Sequence, residues 1–184
     1  MKKILNIVPE NPELVLIALN PTEEAIANNS VFSRDEAFWN LLIQANILKV
    51  DVKNIDLKCR AKRVFQFQES TNIRLGFADL LPLEIEKKSN NVKIPKDAAI
   101  SLLNSCENLQ KTKKIALLGE KVVNAFAKEF NLINWDDMKK KGSQNRFSEI
   151  GEITINNNKI KIFAMPFPIN NSIKDKHEYY KKLI

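Results

Sequence analysis

Leu14-Val15-Leu16-Ile17-Ala18-Leu19-Asn20-Pro21-Thr22 is the stretch that decides the fold. Six consecutive apolar residues between Pro12 and Pro21 describe a strand buried on both faces, since a half-exposed strand would alternate apolar with polar. Asn20-Pro21-Thr22 then opens a polar loop that runs through Asn28-Asn29-Ser30. Beyond it, Phe38, Leu41, Leu42 and Ala45 stand at i, i+3, i+4 and i+7, which predicts a helix over 34–47. The order strand, loop, helix begins a parallel βα unit. Its loop leaves the carboxyl end of the strand, where open α/β sheets hold their ligands.

The alternation continues outward from this unit. Residues 50–75 mix charged and apolar side chains without a clean period, whereas 76–82 reads as a short buried element entering a loop. The polar run 87–93 is expected to be exposed. Pro95 suits the first residue of a helix whose apolar face is Ala99, Leu102, Leu103 and Cys106. Residues 114–118 form a second buried strand, and Gly119 turns it into a helix over 120–130 with Val122, Val123, Phe126 and Phe130 inward. Residues 152–156 and 159–164 flank an Asn-rich turn and predict a hairpin. Two prolines stiffen the loop Met165-Pro166-Phe167-Pro168-Ile169-Asn170-Asn171, and a helix over 174–183 closes the chain. The expected fold is α/β, a three-layer sandwich with a small, mainly parallel central sheet flanked by helices, in one domain over 1–184.

Composition narrows the function classes. With 44% hydrophobic residues, four glycines and seven prolines among 184, the chain can bury a core, which excludes disordered and collagen-like classes. Lys and Arg number 29 against 22 acidic residues, and the resulting +7 favours a polyanionic partner such as nucleic acid. The apolar run of 14–19 is far short of the roughly 20 residues of a membrane span. The apolar lead-in at Ile4-Leu5 stops at Pro9-Glu10-Asn11-Pro12 before a signal peptide could form. Cys59 and Cys106 make neither a disulfide framework nor a metal-ligand spacing, and His177 is the single histidine. A cytoplasmic monomer without metal or cofactor is expected. Cys59 and Cys106 read as structural, Trp39 as core, and His177 and Lys139-Lys140-Lys141 as solvated.

Asn20 has two readings from its residues alone. Asn-Pro can simply initiate a turn, or the amide can hold a water or a substrate carbonyl without titrating. Lys58, Arg60, Lys62 and Arg63 form a dense basic cluster, either a grip on phosphates or a solvated face.

Taken in order, several segments resemble the uracil-DNA glycosylase superfamily, and most closely its mismatch-specific uracil/thymine branch. Ala18-Leu19-Asn20-Pro21-Thr22, followed by Phe32-Ser33-Arg34 and Phe38-Trp39-Asn40, is similar to the branch's Gly-Ile-Asn-Pro-Gly strand end, pocket loop and aromatic helix. Gly76-Phe77-Ala78-Asp79-Leu80 resembles its Gly-x-Thr-Asn/Lys-Leu segment, and Leu118-Gly119-Glu120-Lys121 its strand-Gly-Lys-helix step. Met165-Pro166-Phe167-Pro168 stands where the branch has Asn-Pro-Ser-Gly or Met-Pro-Ser-Ser. The resemblance covers about residues 13–183.

It implies hydrolysis of the N-glycosidic bond of a deaminated base, uracil or hypoxanthine, that has been flipped out of DNA. Asn20 would position the water. Leu19, Pro21, Phe32, Met165, Phe167 and Asn170 would line the base, with Phe32 stacking on it. Ile169 and Asn171 would sit in the loop that wedges into the vacated duplex. The sequence departs from the pattern at Ala18, Thr22, Met165 and Phe167; the added aromatic predicts a broader base range that includes a purine. Two rivals are a superfamily fold that binds DNA without turnover and a small α/β hydrolase acting on free nucleosides or nucleotides.

Overall fold

The computed structural model of the chain describes residues 6–33, 35–85, 89–140, 147–169 and 173–184. β1 (Leu14–Ala18) is buried at every residue and paired on both edges, as its unbroken apolar run requires. Leu14, Leu16 and Ala18 enter one core, while Val15 and Ile17 enter a second core on the opposite face. The remaining strands are β2 (Leu75–Asp79), β3 (Lys114–Leu118), β4 (Glu149–Ile155) and β5 (Asn158–Met165). Their spatial order is β2-β1-β3-β5-β4, with every neighbouring pair parallel except the β4/β5 hairpin.

Helices cover both faces. Between β1 and β2 run α1 (Glu23–Asn28), α2 (Glu36–Gln44) and α3 (Leu57–Ala61), which supply Ala25, Phe38, Trp39, Leu42 and Ala61 to the first core. Between β2 and β3 run α4 (Ala98–Ser105) and α5 (Glu107–Gln110), followed after β3 by α6 (Glu120–Phe130) and α7 (Trp135–Lys140). These pack Leu102, Leu103, Leu109, Val123, Phe126 and Trp135 into the second core. α8 (Lys176–Tyr180) returns to the first face, where Tyr180 is buried. The result is a three-layer α/β sandwich around a mostly parallel sheet. No described helix is long and apolar enough to cross a membrane.

Several local readings shift by a few residues. The first long helix spans only Glu36–Gln44, because the Asp35 carboxylate caps it by accepting the Phe38 N–H at 3.3 Å. Pro95 lies outside α4 and instead accepts the Ala98 N–H at 3.3 Å, forming a turn ahead of it. The aperiodic 50–75 stretch holds a 3₁₀ turn at Val50–Asn54, α3 and a π-helical turn at Lys62–Gln66. Three successive pitches leave no single hydrophobic period to detect.

Arg60 explains why that irregular stretch is held in place, and it corrects the reading of the basic cluster. Its side chain is only 2% exposed. Nε and Nη2 donate to the Ile55 carbonyl at 3.1 and 2.8 Å, Nη2 also to Lys53 O at 3.2 Å, and Nη1 meets the Glu36 carboxylate at 3.1 Å. The guanidinium also lies 5.7 Å from the Trp39 ring centroid. A cation committed to two carbonyls, a carboxylate and an indole is unavailable to a phosphate. Arg60→Ala is expected to lower unfolding free energy by about 2–3 kcal/mol, mainly by leaving those carbonyls without a donor. Urea denaturation checks this, and a change below about 0.5 kcal/mol would place Arg60 with ordinary surface residues.

Candidate functional site

The chain leaves β1 toward β2 on one side and leaves β3 toward β5 on the other. Between the carboxyl ends of β1 and β3 the strand order reverses, and such reversals leave a crevice that no connection covers. A cavity of about 850 Å³ occupies this position. Its walls include Leu19 to Thr22 after β1 and Gly119 to Val122 after β3, together with Phe32, Asp79, Phe167 and Ile169.

Backbone pairing continues past the strands on the β1 side. Leu80 N–H donates to Ala18 O at 2.8 Å and Leu81 N–H to Leu19 O at 2.9 Å, so Asn20 leaves a backbone that is still fixed. The Asn20 Nδ2 donates to Pro21 O at 3.2 Å and to Glu84 O at 3.4 Å. Thr22 has an ordinary extended backbone (φ −84°), and its hydroxyl accepts the Ala25 N–H at 3.1 Å as the cap of α1. A glycine is therefore not required at that position, and the threonine adds an anchor for α1.

Phe32 is held in a left-handed conformation (φ 50°) that bulky side chains seldom adopt. Its carbonyl accepts the Trp39 indole N–H and the Asp35 N–H, each at 3.1 Å. One face of its ring stacks on Phe38 with centroids 3.8 Å apart, and Phe77 meets it edge-on at 5.7 Å. Trp39 is thus a core residue, as expected, and it also fixes the backbone of the pocket aromatic.

Gly119 heads α6 with φ 93° and ψ 165°, a region open essentially to glycine alone. A side chain there would stand 3.7 Å from the Phe167 Cβ. Phe167 itself is 36% exposed, and its ring centroid is 6.5 Å from that of Phe32. The carbonyls of its loop are held from α8. The buried Tyr180 hydroxyl donates to Pro166 O at 2.8 Å, and the Lys176 ammonium donates to Pro168 O. Burial pushes the Lys176 pKa down, against the opposing pull of Asp35, while burial also raises Asp35.

The structure thus brings Leu19, Asn20, Pro21, Phe32, Phe167 and Ile169 together around one cavity. Met165 does not belong with them. It ends β5 fully buried in the first core, because it occupies an inward strand position rather than the loop beyond. Lys58, Lys62 and Arg63 are exposed but do not line the cavity. Lys62 sits 5.6 Å from the Phe67 ring centroid, and Arg63 pairs with Glu69. Asn170 and Asn171 lie outside the described residues. Among the described residues, no group of three or more His, Cys, Asp or Glu side chains could hold a metal ion.

One cavity residue escaped the sequence reading. Asp79 ends β2 in register with Ala18, is 3% exposed, and has no side-chain hydrogen bond to another described residue. Burial alone pushes its pKa up to about 7. The signal available in the sequence was a carboxylate closing an otherwise apolar buried strand, Leu75-Gly76-Phe77-Ala78-Asp79. The other charged side chains of the lining are Glu24, Asp35, Glu120 and Lys121, and the Lys121 ammonium is bound to Asn90 O and Val92 O at 3.3 and 3.0 Å. The described lining is therefore acidic although the chain is basic. In comparisons with known proteins, no family model and no curated protein matches this chain.

A buried acid of this kind makes stability depend on pH with a defined sign. The folded pKa of Asp79 lies above its unfolded value, so the native state keeps a proton that the unfolded chain releases. Its contribution is intact below about pH 4 and is lost as pH rises through about 7. Asp79→Asn is expected to be more stable than the parent at pH 8, by on the order of 3–4 kcal/mol, with the difference vanishing near pH 4. Urea titrations at both pH values check this, and parallel profiles for the two proteins would contradict it.

Proposed function

We propose that the protein hydrolyses the N-glycosidic bond of a deaminated base, uracil or hypoxanthine, flipped out of DNA. The observation that carries this reading is Asn20 at the rigid end of β1, opening into the same switch-point cavity as the Phe32 and Phe167 rings. A planar, uncharged ring suits aromatic and aliphatic walls, whereas Glu24, Asp35 and Glu120 disfavour a phosphate there. The base enters and its phosphates stay outside. As the glycosidic bond lengthens, positive charge grows on the sugar, and carboxylates around the cavity favour it. A sugar cation needs only a weak nucleophile, so a water held by the Asn20 side-chain oxygen suffices. Phe167 supplies a stacking surface that tolerates different bases.

The test is single-turnover cleavage of a labelled duplex carrying one uracil or hypoxanthine, followed by alkali. Asn20→Ala is expected to lower excision at least a hundredfold, corresponding to about 3–4 kcal/mol of barrier, while DNA affinity and folding stay near those of the parent. Excision within threefold of the parent would reduce Asn20 to a turn residue. A second reading, hydrolysis of free nucleosides, is favoured by the placement of Lys58, Lys62 and Arg63 away from the cavity. Turnover of nucleosides with intact oligonucleotides would select it. DNA binding without any cleavage would select a binding module instead.

A further inference from the structure

Asp79 lines the cavity yet is almost closed off from solvent. Asp79 pairs with Ala18 across β2 and β1, and Asn20 lies two residues further along, about 7 Å nearer the opening. Strand alternation puts Asp79 on the same face of the sheet as Phe77, whose ring meets Phe32 edge-on. A ring lying along Phe32 with its glycosidic bond at Asn20 therefore directs its far edge at the Asp79 carboxyl. Resting on the reading of the cavity as a base pocket, we propose that Asp79 is a catalytic acid, meeting the far edge of the base and protonating it as it departs.

The electron balance is simple. The C1′–N bond breaks and its electron pair passes into the base, where it delocalises onto a ring nitrogen or carbonyl oxygen. The Asp79 carboxyl gives its proton to that atom, and the neutral base leaves. Water adds its oxygen to C1′, and the proton it releases restores the carboxyl through solvent. A neutral carboxyl can also bind the base before bond cleavage, since it offers one O–H donor and one carbonyl acceptor. A carboxylate has acceptors only and would oppose the negative charge developing on the base.

Burial raises the pKa of this acid to about 7, so it holds its proton below that pH. Among the described residues, the charged groups that share its cavity are Glu24 from α1, Asp35 ahead of α2, and Glu120 and Lys121 at the start of α6. None of them enters the causes of its shift, which is desolvation alone. The Asp79 N–H donates to the Asn6 side chain at 3.1 Å, fixing the backbone at the strand end.

The experiment measures single-turnover excision of uracil and 5-fluorouracil from otherwise identical duplexes, between pH 5.5 and 8.5. The electron-poor 5-fluorouracil leaves readily without a proton. With the parent protein, uracil excision should fall about tenfold per pH unit above about 7. Asp79→Asn should remove that dependence and slow uracil excision at least thirtyfold at pH 6, while slowing 5-fluorouracil excision less than threefold. A merely structural role would slow both bases equally. A pH-independent parent rate, or equal losses on the two bases, would overturn the role of Asp79 and leave the glycosylase reading standing. Failure of the parent to excise either base would overturn both.

Discussion

A parallel strand must be left from the same end as its neighbours, and its connection must climb over one face of the sheet to return. When β1 is followed by a connection to one side and β3 by a connection to the other, the space above their shared edge stays uncovered. Every distinctive local conformation of the site answers to this gap. Thr22 caps α1 to carry the chain off one rim, and Gly119 takes a conformation reserved for glycine to turn it off the other. Phe32, held in a left-handed conformation by Trp39, fills part of the gap from the side. Strain at these points is supported by a sheet in which the interior strand β1 is wholly buried.

The elements visible in the sequence were those whose burial has a single period. Residues 14–18 and 120–130 are legible because one is buried all round and the other has a clean helical stripe. The turns between residues 50 and 66 could not be read, since 3₁₀, α and π segments follow each other within seventeen residues. Arg60 defeated the reading for a different reason. A cation is assigned to the surface by default, and only its three-dimensional setting of carbonyls and an indole makes burial tolerable. Asn20, Phe32 and Phe167 could be picked out from the motif order. Asp79 stood in one of those motif segments without a legible role, because a carboxylate ending a strand usually faces water and its burial depends on residues distant in sequence, such as Asn6 and the cavity walls. Met165 shows the converse error, a motif position assigned to a loop that the strand in fact continues through.

The charge of the molecule is divided by location. The whole chain has 29 basic and 22 acidic residues, whereas the described part of the cavity lining carries Glu24, Asp35, Asp79 and Glu120 against Lys121. In the function proposed above, the net positive charge would attract DNA, while this lining would disfavour its phosphates and admit an uncharged base. In that reading long-range attraction and short-range selection would be separate properties, and changes in salt would act mainly on the first.

The loop that carries Phe167 depends on residues that come later in the chain. Tyr180 and Lys176 hold the Pro166 and Pro168 carbonyls, and without α8 those carbonyls lose their donors. During synthesis the strands can begin to pair before α8 is made, but the first core closes only when Tyr180 and Leu183 arrive. Asn20 is by then long since in place. The opposite wall of the cavity must wait for residues 176–180, so the earliest strand and one of the latest helices share responsibility for a single cavity. The same late segment therefore completes both the first core and the pocket of the nascent chain.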